Sequence, residues 1–264
     1  MTAREGTLAQ VLAGDADWVV IEGDNAEVLP MIPDKGVAHV ITDPPYSDHV
    51  HAKARRGATL ADERGSSRAG DLGFAALADG QREALAVEFA RLALRWVLEF
   101  SDQEGAHPWM LANVAAGLHH IRIGQWVKLN ATPQFTGDRP GTGAEAVVIA
   151  HPKGRKRWNG GGCHAVWAHA IAIDRASTGE QRCHTTQKPL PLMVELVSLF
   201  ADPGELVLDP FAGSGTTGVA CLRLGRRCIL IERDPKYAAV AIERMRAETQ
   251  GLSLRDARAG QMSL

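Results

Sequence analysis

The 264-residue sequence predicts an α/β protein built on a mostly parallel sheet with helices on both faces. Three observations carry this expectation. Short β-branched or apolar runs alternate with segments of helical period, those runs end at polar or turn residues, and a glycine-rich turn joins a late strand to a helix. Hydrophobic residues make up 45% and charged residues 23%, which excludes disordered, collagenous and fibrous chains.

The elements follow in order. Residues 18–22 (Trp-Val-Val-Ile-Glu) and 37–42 (Val-Ala-His-Val-Ile-Thr) are strand-like runs, with a helical turn or two over 25–31 between them. Residues 47–73 carry Gly57, Gly65, Gly70 and Gly73 among mixed charges without period, and read as a long mobile loop. Apolar positions at Leu85, Phe89, Leu92, Trp96 and Phe100 predict a helix across 80–100. Residues 107–113 and 125–130 are expected as strands flanking a short helix. A further strand over 144–151 follows the turn marked by Gly141 and Gly143. Residues 152–183 show no clear period. The remainder reads as a proline-started helix (189–201), a buried strand (206–208), a helix (214–224), a strand (228–231) and a helix (235–248).

No run approaches the roughly 18 uninterrupted apolar residues of a membrane span, and no apolar run follows a basic start, so a cytoplasmic location without membrane association is expected. Four scattered cysteines give no disulfide framework. Cys163-His164, His169 and Cys183-His184 lack paired metal-ligand spacing, so no metal is expected. Trp96, Trp126, Cys221 and Cys228 read as core, and His119 and His120 as surface or satisfied histidines. The net charge of -2 conceals a division. Residues 1–46 carry an acidic excess of six, whereas 51–70 and 152–183 carry basic excesses of three and four. Either basic segment alone is an ordinary solvated loop; two of them point toward polyanion contact.

Asp209-Pro210-Phe211-Ala212-Gly213-Ser214-Gly215-Thr216-Thr217-Gly218 forms the glycine-rich turn, and Glu232 followed by Arg233 ends the next strand. Glycines let a ligand approach the backbone at a helix start, and an acid one strand on can accept bonds from ribose hydroxyls. This says nucleoside cofactor and serves NAD, FAD and S-adenosylmethionine alike; the bland alternative is a structural turn. Asp209 and Phe211 favour S-adenosylmethionine, because an acid before the turn suits a cationic amino-acid tail and repels a pyrophosphate.

Asp43-Pro44-Pro45-Tyr46 directly follows the second strand, and two prolines cannot continue a ladder, so they fix a stiff turn at its carboxyl edge, which read alone is equally an ordinary strand-ending turn. An exocyclic nucleobase amine is a poor nucleophile because its lone pair is delocalised into the ring. If Asp43 and the Pro44 carbonyl accept its N–H bonds while Tyr46 stacks on the base, the lone pair can turn toward a methyl sulfonium. That is catalysis by orientation and electrostatics.

The pair Asp43-Pro44-Pro45-Tyr46 and Asp209-Pro210-Phe211-Ala212-Gly213-Ser214-Gly215, in that order, resembles the S-adenosylmethionine-dependent DNA amino-methyltransferases of the β arrangement. Gly23-Asp24-Asn25 resembles that family's element contacting the cofactor adenine. His184-Thr185-Thr186-Gln187-Lys188-Pro189 resembles the segment closing over the methionine tail. The resemblance implies a single Rossmann-like domain with a circularly permuted, seven-stranded sheet. It implies that the strands ending at Asp43 and Asp209 are neighbours, that S-adenosyl-L-methionine is the cofactor, and that the target base of a DNA duplex is flipped into the pocket. By the same resemblance, residues 152–183 form a small target-recognition insert. Lys153, Arg155, Lys156 and Arg157 suit phosphates, and Trp158 and Asn159 suit a groove or the flipped base's partner. The alternative for this turn is a basic surface segment with Trp158 packed underneath. Lys53, Arg55 and Arg56 are phosphate candidates on the loop 47–73. So small a reader implies a short or relaxed recognition sequence, and a homodimer would extend the grip on DNA. Adenine N6 is the first reading of the target, and cytosine N4 the alternative. RNA or protein-amide methylation, a nucleotide-dependent oxidoreductase and a silent DNA-binding module stand further off.

Overall fold

The computed structural model describes residues 3–46, 77, 80–135, 137–172 and 187–261. The loop 47–73 with Lys53, Arg55 and Arg56, together with His184 and Thr186, lies outside the described residues. The strands in chain order are β1 (Trp18–Glu22), β2 (His39–Thr42), β3 (Val97–Ser101), β4 (His119–Lys128), β5 (Ala144–His151), β6 (Val166–His169), β7 (Leu206–Asp209) and β8 (Arg227–Glu232). The helices are α1 (Leu8–Ala13), α2 (Asn25–Val28), α3 (Gln81–Leu92), α4 (Gln103–Ala115), α5 (Leu190–Phe200), α6 (Thr216–Arg223), α7 (Pro235–Thr249) and α8 (Leu254–Gln261).

The eight strands of the described residues form one sheet in the order β1-β8-β7-β2-β3-β5-β4-β6. Every pairing is parallel except those of β5 with β3 and with β4. The sheet is buried on both faces, and successive residues of its strands serve opposite layers. Val40, Val97, Val148, Leu208 and Ile229 pack with α1 to α4 on one face. Ile41, Leu98, Val147, Val207 and Leu230 pack with α5 and α6 on the other. Full burial of each such side chain contributes about 1.5–3 kcal/mol before entropy is counted. Trp96, Trp126, Cys221 and Cys228 lie in this core.

Three elements depart from the sequence expectation. The expected seven-stranded sheet has an eighth strand, β6, from within the segment without period. It is only four residues long and pairs along the edge with β4, too short to announce itself by alternation. The helix expected over 80–100 stops at Leu92, and 97–101 is a strand buried on both faces; a fully buried strand lacks the alternation that separates it from a buried helix. Residues 107–113, expected as a strand before a short helix, belong to α4, and β4 already runs from His119 through the stretch expected as that helix. Asp102 caps α4 by accepting from the Gly105 N–H at 3.0 Å, and the helix's buried residues Gly105, Ala106, Trp109, Ala112 and Asn113 recur at helical spacing around Pro108.

Strand direction decides what faces the site. β1, β2, β3, β4, β6, β7 and β8 all bring their carboxyl ends to one edge of the sheet. β5 runs the other way, so its first residues share that edge and His151 lies at the opposite one.

Candidate active site

β2 and β7 are neighbours, so the turns following them stand side by side. The Thr42 hydroxyl donates to Asp209 Oδ1 at 2.8 Å and ties the two strand ends together. Asp209 Oδ1 also accepts from the Phe211 N–H at 3.1 Å, and Oδ2 accepts from the Thr217 hydroxyl at 2.5 Å. Asp209 is buried, and burial pushes its pKa up to about 6 against those three donors. Its carboxylate therefore organises the turn from inside.

The turn between β7 and α6 needs its glycines. Gly213 and Gly215 adopt φ of +52° and +79°, where an L side chain is strained. A Cβ on Gly215 would lie 3.0 Å from that of Ala241, whereas one on Gly213 would meet nothing within 4 Å, so the backbone at Gly213 is open to a ligand. Glu232 Oε2 accepts from the Gly213 N–H at 2.8 Å and Oε1 from the Asp234 N–H at 2.8 Å. Glu232 thus holds the turn against the end of β8, while Arg233 is exposed. Asp24 caps α2 through the Ala26 N–H, and the Asn25 amide donates to the Pro210 carbonyl at 3.3 Å. Asp24 and Asn25 are therefore gathered at the same corner as Phe211, Gly213 and Glu232. Ala212, Ser214, Thr216 and Thr217 are buried. Arg244, on α7, donates to the Ser214 carbonyl (2.7 Å), the Ser214 hydroxyl (2.9 Å) and the Thr216 hydroxyl (3.1 Å). Nothing in the sequence pattern singles out this anchoring arginine.

Across the corner, Pro44 is buried, and Asp43, Pro45 and Tyr46 are partly so. Asp43 Oδ2 is bonded to the ammonium of Lys188, which is 8% exposed and precedes α5 by two residues. The sequence reading assigns Lys188 to the cofactor tail; the structure places its charge on Asp43, with Pro189 following as the N-cap of α5. Asp43 Oδ1 is buried and has no hydrogen-bond partner among the described residues. Burial raises the Asp43 pKa while Lys188 pulls it down.

The sequence reading missed two members of this corner. The Tyr46 hydroxyl donates to Glu145 Oε2 at 2.6 Å, and Lys128 Nζ lies 2.6 Å from Glu145 Oε1. Burial disfavours the Glu145 anion, but Lys188 and Lys128 outweigh it and hold its pKa at about 2. Burial likewise opposes the Lys188 cation, and Asp43 and Glu145 together raise its pKa. Only the antiparallel direction of β5 brings Glu145 here; a charged residue opening an apolar strand was the available signal.

The same reversal moves the expected DNA-contact residues. Lys153, Arg155, Lys156, Arg157, Trp158 and Asn159 follow the far end of β5, about 20 Å along the strand from Glu145 and at the edge opposite Asp43. Trp158 packs on Phe200 at 4.8 Å between ring centroids, and its indole N–H donates to the Gly161 carbonyl. The Asn159 amide donates to the Ser198 carbonyl (3.2 Å) and to Asp202 Oδ1 (3.0 Å), closing the end of α5. Arg157 sits 3.5 Å from Asp202. The six residues therefore lie at the sheet edge opposite Asp43, with Trp158 packed on Phe200. At the edge that does hold Asp43, the connection from β4 to β5 exposes Leu129 (68%) and Phe135 (86%).

The DNA methylase family model matches residues 96–243, more than half of the chain. The chain is 26% identical over 263 residues to the type II methyltransferase M.HinfI of Haemophilus influenzae, an alignment spanning 86% of this chain and 68% of that protein. A 67-residue stretch is 45% identical to the type II methyltransferase M2.DpnII of Streptococcus pneumoniae and covers 25% of each chain. Among solved structures, M1.HpyAVI in complex with SAM superposes with a TM-score of 0.65 at 23% identity, over 86% of this chain and 98% of that one. PvuII DNA methyltransferase, titled cytosine-N4-specific, gives the same TM-score at 14% identity over 92% and 91%. At those identities the two superpositions speak for the fold alone. The family match spans both the glycine turn and the strand carrying Glu145, and on it the chain belongs to the DNA methylase family, whose methyl donor is S-adenosylmethionine.

Proposed function

We propose that the protein methylates the exocyclic N6 of adenine in duplex DNA, with the target nucleotide turned out of the helix. The observation that carries this reading is Asp43 Oδ1, a buried acceptor with no partner among the described residues, on the strand beside the glycine turn. Asp43 Oδ1 and the Pro44 carbonyl accept the two N–H bonds of the amine and free its lone pair. Tyr46 stacks on the base, which recovers roughly 1–3 kcal/mol of the unstacking cost. S-adenosylmethionine supplies an electrophilic methyl group on a sulfonium. Asn25, Phe211, Gly213 and Glu232 are the residues that would hold it, and the open backbone at Gly213 fits a ligand there. With Oδ2 already bonded to Lys188, Asp43 works as an orienting acceptor more than as a strong base.

An aspartate rather than a serine before Pro-Pro-Tyr favours adenine over cytosine. The DNA-facing surface in this reading is the edge that carries Asp43, including the β4 to β5 connection with Phe135. Residues 152–159 are left out of it. Incubation of unmodified plasmid with labelled S-adenosylmethionine, followed by digestion to nucleosides and mass spectrometry, is expected to yield N6-methyladenine; N4-methylcytosine alone would overturn the choice of base. Asp43→Ala is expected to abolish transfer while cofactor binding persists, and near-parental turnover would refute the role of Asp43.

A further inference from the structure

Asp43 shares its corner with a second carboxylate for which the reaction described above has no use. Glu145 is the second residue of β5, and its side chain is 14% exposed. Its Oε2 accepts from the Tyr46 hydroxyl at 2.6 Å and lies 3.2 Å from Lys188 Nζ, while Oε1 faces Lys128 Nζ at 2.6 Å. Lys128, Glu145, Lys188 and Asp43 thus form a row of alternating charges at one edge of the sheet.

Proton counting shows what the row does. A lysine ammonium has three N–H donors, and among the described residues Lys188 has three oxygen partners: Asp43 Oδ2, Glu145 Oε2 at 3.2 Å and the Tyr46 hydroxyl at 3.1 Å. The rotor is locked only while all three are in place. The same ammonium lies 5.2 Å from the Tyr46 ring centroid and 5.1 Å from that of Phe100. The Tyr46 hydroxyl is held from two sides, donating to Glu145 and accepting from Lys188.

We propose that Glu145 is a positioning residue for methyl transfer: by fixing Lys188 and the Tyr46 hydroxyl, it keeps Oδ2 of Asp43 occupied, Oδ1 turned toward the substrate amine, and the Tyr46 ring set for the base. This rests on the assignment of Asp43 and Tyr46 to the target base. Without the Glu145 charge, one buried Lys188 proton has no anionic partner and the ammonium is free to turn, carrying the Asp43 carboxylate with it. Misplacement of a reacting group by about 1 Å costs on the order of 10²-fold in rate.

The test measures kcat, KM for plasmid DNA and S-adenosylmethionine affinity by calorimetry for Glu145→Gln, Tyr46→Phe, the double variant and Asp43→Ala. Glu145→Gln keeps shape and one acceptor but no charge. It is expected to lower kcat by roughly 10²-fold with cofactor affinity unchanged. The double variant is expected to lose less than the product of the single losses, because both act through one network. Glu145→Gln at parental kcat beside an inactive Asp43→Ala overturns the proposal and leaves the Asp43 reading standing, whereas an active Asp43→Ala overturns both. A cofactor-affinity loss that matches the kcat loss assigns Glu145 a general structural role and also overturns it. If Glu145→Gln does not fold, Tyr46→Phe decides: a lowered kcat supports the hydroxyl link, and parental kcat refutes it.

Discussion

Replacing Lys188 by Met tests whether the charges at the catalytic corner are held as a set. Met matches the length and volume of the stem, while the ammonium, which lies 5.1 Å and 6.0 Å from the ring centroids of Phe100 and Trp126, is lost. The ammonium is 8% exposed, and its loss leaves Asp43 and Glu145 facing each other in a buried site, with only Lys128 as counter-charge among the described residues. Removing one partner of a buried ion pair destabilises by about 3–5 kcal/mol. At roughly 2–4 °C per kcal/mol for a domain of this size, the melting temperature is expected to fall by about 10 °C. The loss depends on pH with a definite sign. In the variant, Asp43, whose folded-state pKa burial already raises, loses the Lys188 charge that pulls it down, while Glu145 keeps Lys128 and the Tyr46 hydroxyl. The Asp43 penalty is therefore largest at the alkaline end of a pH 8 to 5 range and shrinks as the pH falls through its raised pKa. Differential scanning calorimetry of parent and variant across that range is the assay. A variant within about 2 °C of the parent at pH 8, or a gap that widens on acidification, would refute the charge-row argument.

Two further outcomes are expected. Gly218→Ala places a Cβ 2.5 Å from Leu230 Cδ1 and 2.7 Å from Met245 Sδ, both buried side-chain ends that must shift; overpacking costs about 1–3 kcal/mol against a helix-propensity gain of about 1 kcal/mol, so the urea midpoint is expected to fall by less than the full overpacking cost, and a raised midpoint contradicts the tight helix-to-sheet contact. Glu99 is fully buried, and burial raises its pKa from 4.5 to about 8 against one bond from Asn113. The folded state therefore holds a proton that the unfolded chain releases, and stability falls as pH rises from 4.5 to 8 and levels off above. Glu99→Gln is expected to flatten that slope by about one proton, and urea titrations at pH 5, 6.5 and 8 showing parallel curves would exclude it.

The two chemistry-bearing turns were legible in the sequence because each is local. Asp43-Pro44-Pro45-Tyr46 and the run from Asp209 to Gly218 combine strand-ending residues with backbone requirements that few sequences satisfy together. β1, β7, β8, α5, α6 and α7 were legible because short apolar strands and capped helices alternate there. What escaped depends on pairing between distant segments. Val97 to Ser101 is buried on both faces, so its composition fits helix and strand equally. The direction of β5 follows from its ladders with β3 and β4, and it alone decides that Glu145 belongs to the catalytic corner and Lys153 to the opposite edge. No local pattern encodes that choice. Arg244 was invisible for a similar reason, since its partners lie 28 and 30 residues away along the chain.

The bond from Thr42 to Asp209 spans 167 residues of sequence, yet the two corners it joins are kept abreast by a single rung of the sheet. Their spacing is consequently indifferent to the length of chain in between. Material spliced in between β6 and α5 adds chain whose ends are held by the same sheet, and it leaves the two corners where they were.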